Sequence, residues 1–228
     1  MLNHHTHLLL ASASPRRRQI ITSLGLPYTI GVSPTDEEAV QALYRGPADG
    51  LAQWTAAHKA LGALTMPESQ GTLVVAADTT VLLDEQVLGK PRDEEHARQL
   101  LRSLRGRWHR VVTGVIVCAL KDGQITMFGA SQATPVLMRP YSDAEIDAYI
   151  ASGDPMDKAG AYGIQNPDFQ PTERIDGCYL NVVGLPLGKL TELLARFDVQ
   201  PLAPHVSDPA CPCCPWSTRS LKNEATHV

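Results

Sequence analysis

The run Leu73-Val74-Val75-Ala76-Ala77 places five apolar residues in succession and stops at an acid, Asp78. A short apolar run of this kind, rich in valine, predicts a buried strand. Its end then carries a carboxylate, at the position where α/β folds commonly build their sites. Apolar character resumes after Asp78-Thr79-Thr80 and continues to Leu83, where Asp84-Glu85 marks a turn.

The surrounding sequence alternates strand and helix signals. His7 to Ala11 predicts a strand, and Ser14 as N-cap with Pro15 behind it opens a helix to Leu24, stopped by Gly25. Tyr28 to Val32 reads as extended. Leu51, Trp54, Ala57, Leu61 and Leu64 recur at helical spacing, on a helix that also carries Lys59. Ala97, Leu100, Leu101 and Leu104 define a second amphipathic helix ending at Gly106. Trp108 to Leu120 and Ile125 to Ser131 flank Asp122-Gly123, a hairpin signal. Ser142 and Glu145 form a capping box for a helix that ends near Gly153. Tyr179 to Val183 reads as a strand after the turn at Asp176-Gly177, and Pro186 opens a last helix along Leu187, Leu190, Leu194 and Phe197. This mixture predicts an α/β fold: a single mixed-sheet domain over residues 1–199, followed by a flexible tail over 200–228.

The 228 residues suffice for an ordinary core, and 43% hydrophobic with 19% charged residues is normal for a soluble globular protein. The net charge of -4 argues against stable nucleic-acid binding, which needs a broad excess of Lys and Arg. No apolar run reaches membrane-span length. Cys118 and Cys178 are isolated, and Cys211, Cys213 and Cys214 crowd the end, so a reduced cytoplasmic protein is expected. Cys211 and Cys214 have C-x-x-C spacing, and His205 or His227 would complete a zinc site as the alternative to a flexible tail.

The chemistry-bearing residues fall into clusters. Ser12-Ala13-Ser14-Pro15-Arg16-Arg17-Arg18 lies at a strand-to-helix junction, where amides, hydroxyls and guanidinium groups can converge on a phosphate; a capped helix with three solvated arginines is the competing reading. Asp78 is either a site acid or a turn cap. Glu37 supplies either a second carboxylate for a divalent cation or part of a charged loop. Lys59, Lys90 in its Leu88-Gly89-Lys90-Pro91 turn, and Lys158 are the basic candidates. In the run from Asp157 to Gln165, Gly160 and Gly163 permit close backbone approach, and Gln165 offers a donor and an acceptor to a base edge. Neither a Walker A loop nor a dinucleotide fingerprint is present.

The order of Leu10-Ala11-Ser12-Ala13-Ser14-Pro15-Arg16-Arg17, Ala77-Asp78-Thr79, Gly89-Lys90-Pro91, Thr113-Gly114-Val115, Asp157 through Gln165, and Asn181 through Leu187 resembles the Maf family of nucleotide pyrophosphatases. The resemblance spans about Leu8 to Phe197 and implies the Maf/inosine triphosphatase-like architecture, commonly a homodimer. It implies cleavage of nucleoside triphosphates to monophosphate and pyrophosphate with magnesium or manganese as the divalent metal. Asp78 matches the proton acceptor, beside the metal, with Glu37 and Lys59 at acidic and basic site positions. Ser12, Arg16, Lys90 and Lys158 match the phosphate pocket. Arg16, Thr79 and Gln165 match the trio tied to substrate choice and resemble the dTTP/UTP branch. Asn166-Pro167 departs from the glycine expected after Gln165. The alternative implied function is a nucleotide-sensing or septum-formation-regulating binding protein.

Overall fold

The computed structural model describes residues 7–201. Cys211, Cys213, Cys214, His205 and His227 lie outside the described residues, as does most of the expected tail. In chain order the elements are β1 (Leu8–Ala11), α1 (Pro15–Thr22), β2 (Tyr28–Gly31), α2 (Glu37–Leu43), α3 (Leu51–Leu64), β3 (Leu73–Leu83), β4 (Gln86–Leu88), α4 (Glu94–Leu104), β5 (Trp108–Lys121), β6 (Gln124–Met138), α5 (Asp143–Ala151), β7 (Thr172–Ile175), α6 (Tyr179–Val183) and α7 (Leu187–Ala195).

One mixed sheet in the order β2-β1-β3-β5-β6-β7 organises them, with β4 paired to β3 off that path. β1 runs parallel to both β2 and β3, while the pairs β3–β5, β5–β6 and β6–β7 are antiparallel. The Asp122-Gly123 signal is realised as the tight turn between β5 and β6, with both residues at positive φ.

β3 is a single strand of eleven residues rather than one that stops at Asp78. The local polarity of Asp78-Thr79-Thr80 does not end it, because β5 pairs with every residue from Val74 to Leu82 on one side. On its other side, β1 pairs with Leu73 to Val75 and β4 with Val81 to Leu83. Between those partners β3 has an open edge over residues 76–80. Asp78 thus lies just past the end of β1, in the middle of β3.

Three apolar clusters frame that gap. On one face, Val75 and Ala77 join α1, α6 and α7 around Leu8, Leu10, Ile21 and Leu190. Further along the same face, Val81 and Leu83 join α4 and α5 around Leu101, Met138 and Ile146. On the opposite face, Val74 and Ala76 meet the alanines of α3.

The contact face of α3 coincides only in part with the stripe of large apolar residues, of which Leu51 and Leu64 are buried. Ala52, Thr55, Ala56, Lys59, Ala60 and Ala63 are buried, whereas Trp54 and Leu61 are 37% and 41% exposed. Small residues line the interface because the helix lies close to the sheet. A Cβ added at Gly114 of β5 would sit 2.4 Å from Cα of Gln53. Segment 179–183 also differs from expectation: it is helix α6, not a strand. Cys178 caps it, and the buried amide of Asn181 bonds Thr113 N, Val111 O and Thr134 Oγ1 in the sheet. These tertiary bonds override the strand preference of Val182-Val183.

Candidate active site

The open edge of β3 faces a cleft of about 630 Å³ lined by Ser12, Arg16, Arg17, Glu37, Lys59, Asp78, Thr79, Lys90, Lys158 and Gln165, among others. Successive strand residues point to opposite faces, so Asp78 is directed toward the α3 side and Thr79 toward the α1 side. With no partner strand on the open edge, both reach the same cleft.

On the α3 side, Lys59 stands between two carboxylates. Its Nζ is 2.7 Å from Glu37 Oε1 and 3.7 Å from Asp78 Oδ1. Glu37 is the first residue of α2, fixed there by the Asp36 side chain, which accepts from Ala39 N. The expected charged loop is therefore a capped helix that turns one acid inward. The two carboxylates titrate in opposite directions. Burial pushes Asp78 above the ordinary aspartate range, against the pull of Lys59 and Arg17. Burial is also the largest single influence on Glu37, but the close Lys59 ammonium, with Lys90 and Arg17 behind it, holds that carboxyl below its usual range.

On the α1 side, β1 ends at Ala11 and the Ser12-Ala13-Ser14 turn feeds α1. Ser14 caps the helix at Arg17 N, while Ser12 Oγ accepts from Ser14 N and Arg17 Nη1. Arg17 Nη2 donates to Thr79 Oγ1 at 3.1 Å and its Nε to Gly184 O at 2.8 Å. Thr79 Oγ1 and Thr113 Oγ1 are 2.9 Å apart, and Thr113 Oγ1 donates to Asn181 O. This chain of bonds ties α1, β3, β5 and α6 together at the cleft wall.

Arg17 lies at the centre of this network, although no separate role follows for it from the sequence reading. A signal was present: Arg17, Ile20, Ile21 and Leu24 share i, i+3, i+4, i+7 spacing, and the last three are buried. Of three consecutive arginines, only Arg17 occupies the inward stripe of α1.

The structure brings Asp78, Glu37, Lys59, Ser12, Arg16, Thr79 and Lys90 around the cleft. Lys90 is exposed after β4, and its turn is held because Gly160 N donates to Gly89 O. Lys158 also lines the cleft, but its ammonium is engaged by Asp154 Oδ1 at 2.9 Å and Asp157 Oδ1 at 2.7 Å. Gln165 is exposed at the rim.

No cluster of three or more His, Cys, Asp or Glu side chains suited to a metal occurs among the described residues. The carboxylates of Glu37 and Asp78 nevertheless form a hard oxygen pair sharing one ammonium. That donor set fits magnesium or manganese, which commonly take one or two carboxylates and complete their shell with phosphate oxygens and water.

The chain that builds this strand-edge cleft, with buried Asp78 and half-exposed Glu37 beside several cations, has relatives among known proteins. The model described as Maf-like protein matches residues 7–197, and the chain belongs to the Maf family. Among its relatives, a protein of Thermomicrobium roseum named dTTP/UTP pyrophosphatase is 43% identical over 222 residues, covering 96% of this chain and 98% of the relative. Proteins of the same name from Salinibacter ruber and Dictyoglomus turgidum are 46% and 40% identical, covering 82% and 83% of this chain and 89% and 95% of the relatives. The Thermomicrobium roseum alignment continues beyond the family match into the C-terminal segment.

Proposed function

We propose that this chain is a nucleoside triphosphate pyrophosphatase that prefers dTTP and UTP and releases a nucleoside monophosphate and pyrophosphate. The observation that carries the reading is the buried carboxylate of Asp78 held beside Lys59 and within the field of Arg17 and Lys90. Triphosphate hydrolysis needs cations for the phosphate charge and a base for water, and this cleft supplies both. The relatives' names supply the substrate class.

In this reading Asp78 accepts a proton from the attacking water. The water oxygen bonds to phosphorus, the bridging α–β phosphate bond breaks, and pyrophosphate leaves. Arg16, Arg17, Lys59 and Lys90 offset the charge that develops on the phosphate oxygens, and Ser12 donates from the end of β1. Glu37 and Asp78 are the residues that would hold magnesium or manganese, which when bound supplies further charge neutralisation on the phosphates. Lys158 reaches phosphate only by exchanging an acidic partner for it. Arg16, Thr79 and Gln165 set substrate choice, with Gln165 facing the base. Homodimerisation and a cytoplasmic location complete the reading on the strength of the family relationship and the cysteine pattern; among the described residues, no helix is long and apolar enough to cross a membrane.

The test is pyrophosphate release from a full panel of nucleoside triphosphates with magnesium or manganese, on the native chain and on Asp78→Asn. Native turnover is expected to be fastest with dTTP and UTP, and the substitution to lower it by roughly 10³-fold while leaving the melting temperature intact. Nucleotide binding without turnover by the native chain would favour the sensing role instead.

A further inference from the structure

The segment behind the base-facing rim of the cleft is built on one carboxylate, Asp154. Its Oδ1 accepts from Lys158 Nζ at 2.9 Å, and its Oδ2 accepts from Tyr149 Oη at 2.6 Å and Asn166 Nδ2 at 3.2 Å. Tyr149 Oη in turn accepts from Gly163 N at 2.9 Å. The segment 163–166 is therefore pinned at both ends, and Gln165 stands between the pins.

The supports of these pins are themselves fixed. The Tyr149 ring is buried and stacks on Phe169 at 4.2 Å between centroids. Asn166 Oδ1 accepts from Phe169 N at 2.8 Å and Asp168 N at 3.2 Å. Asn166 thus holds the following turn with one end of its amide and Asp154 with the other. The loop also rests on the lysine: a Cβ at Gly163 would come within 2.8 Å of Lys158 Cε and 3.3 Å of Asp154 Oδ2.

We propose that Asp154 is a positioning residue for base selection, coupling Lys158 on the phosphate side of the cleft to the loop that presents Gln165. The inference rests on the pyrophosphatase reading and deepens it. One carboxylate accepts three side-chain donors, so whatever draws the Lys158 ammonium toward a phosphate alters the acceptor that holds Asn166 and, through Tyr149, Gly163. Burial works to raise the Asp154 carboxyl, but the bonds from Tyr149 and Lys158 keep it below the ordinary range, which preserves its capacity to accept all three.

The experiment compares kcat/KM for UTP and CTP in the native chain, Asp154→Asn, Asn166→Ala and the double variant, with melting temperatures alongside. An asparagine has the shape of Asp154 but only one acceptor oxygen, so it cannot hold the three donors. Asp154→Asn is expected to lower the UTP-to-CTP ratio by roughly tenfold. Asn166→Ala should lower it in the same direction, and the double variant should fall no further than Asp154→Asn alone, as coupled positions do. An equal loss for UTP and CTP, or an unchanged ratio in Asp154→Asn, overturns the proposal, since a merely structural role lowers both substrates together. Should Asp154→Asn fail to fold, Asn166→Ala carries the same two outcomes alone. A native chain that hydrolyses no triphosphate refutes the pyrophosphatase reading itself, and one that hydrolyses UTP and CTP alike refutes the base preference and the positioning role while the pyrophosphatase activity stands.

Discussion

Gly114 of β5 is the register partner of Asp78 on β3, and the backbone of α3 passes over that glycine at a distance no side chain could share. A Cβ at residue 114 would lie 2.4 Å from both N and Cα of Gln53 and 2.7 Å from the carbonyl carbon of Ala52. The glycine therefore sets the height of α3 above the sheet, and with it the reach of Lys59 to Asp78.

Gly114→Ala is expected to force α3 outward because the obstructing atoms are backbone. Overpacking of this kind costs roughly 1–3 kcal/mol, which chemical denaturation would read directly. Activity should fall more than stability alone explains, since Lys59 moves with the helix. A variant with native kcat/KM would show that the α3 height is not coupled to the cleft.

Arg17→Ala removes a guanidinium that bonds Thr79, Ser12 and Gly184 O and acts on Asp78 through its charge. The expected loss in kcat/KM is on the order of 10²-fold or more, as for other lost transition-state donors. Arg17→Lys keeps the charge but not the three-way fork, so it should recover only part of that loss. Arg18→Ala is the control. Arg18 belongs to the same arginine run but donates to Ala13 O at the exposed surface, and its removal should leave kcat/KM within a few-fold of native.

These positions also mark how far the sequence could be read. The apolar run of β3, the Ser14-Pro15 helix start, the Asp-Gly hairpin and the Ser142/Glu145 capping box depend on local chemistry, and each has its expected structure. The inward face of α3 does not. Periodicity weighted by size selects Leu51, Trp54, Leu61 and Leu64; Leu51 and Leu64 are buried at the helix ends, but between them the packed face consists of alanines, Thr55 and Lys59 because Gly114 admits the helix so closely. Helix α6 depends on Asn181 finding partners in β5 and β6, residues distant in sequence. Asp78 stands out in the sequence as a candidate site acid because it interrupts the apolar run of β3, although the strand itself continues through it. That its accessibility comes from the short reach of β1 and β4 along β3 is a property of the register, which no single segment encodes.

Glu37→Gln tests the carboxylate pair. Lys59 would lose its 2.7 Å partner, and one of the two hard oxygen donors would lose its charge. If Glu37 helps to hold a divalent cation, the magnesium concentration for half-maximal turnover should rise roughly 10- to 100-fold. The rise in melting temperature that magnesium gives in the presence of pyrophosphate should shrink in parallel. An unchanged magnesium dependence in both measurements would assign Glu37 to holding Lys59 only.

A residue outside the cleft, His109, is expected to make the fold acid-sensitive. His109 is 3% exposed, its Nε2 is 2.7 Å from the Tyr162 hydroxyl, and burial lowers its pKa to about 4, with the Arg107 backbone opposing the shift. The same burial raises Tyr162, so the phenol donates and the imidazole accepts as a neutral ring. In the unfolded chain this histidine protonates near 6.5. Between that value and about 4 the unfolded state binds a proton that the folded state refuses, so stability contributed by the neutral ring is full above pH 6.5 and lost as pH falls through this window. The loss amounts to about 3 kcal/mol over the window, from about 1.4 kcal/mol per pKa unit. Urea denaturation of native and His109→Gln protein at pH 7 and pH 4 isolates it, because other groups titrate alike in both. The native chain should lose about 3 kcal/mol more than the variant on acidification. Parallel losses in the two proteins would place the acid sensitivity elsewhere.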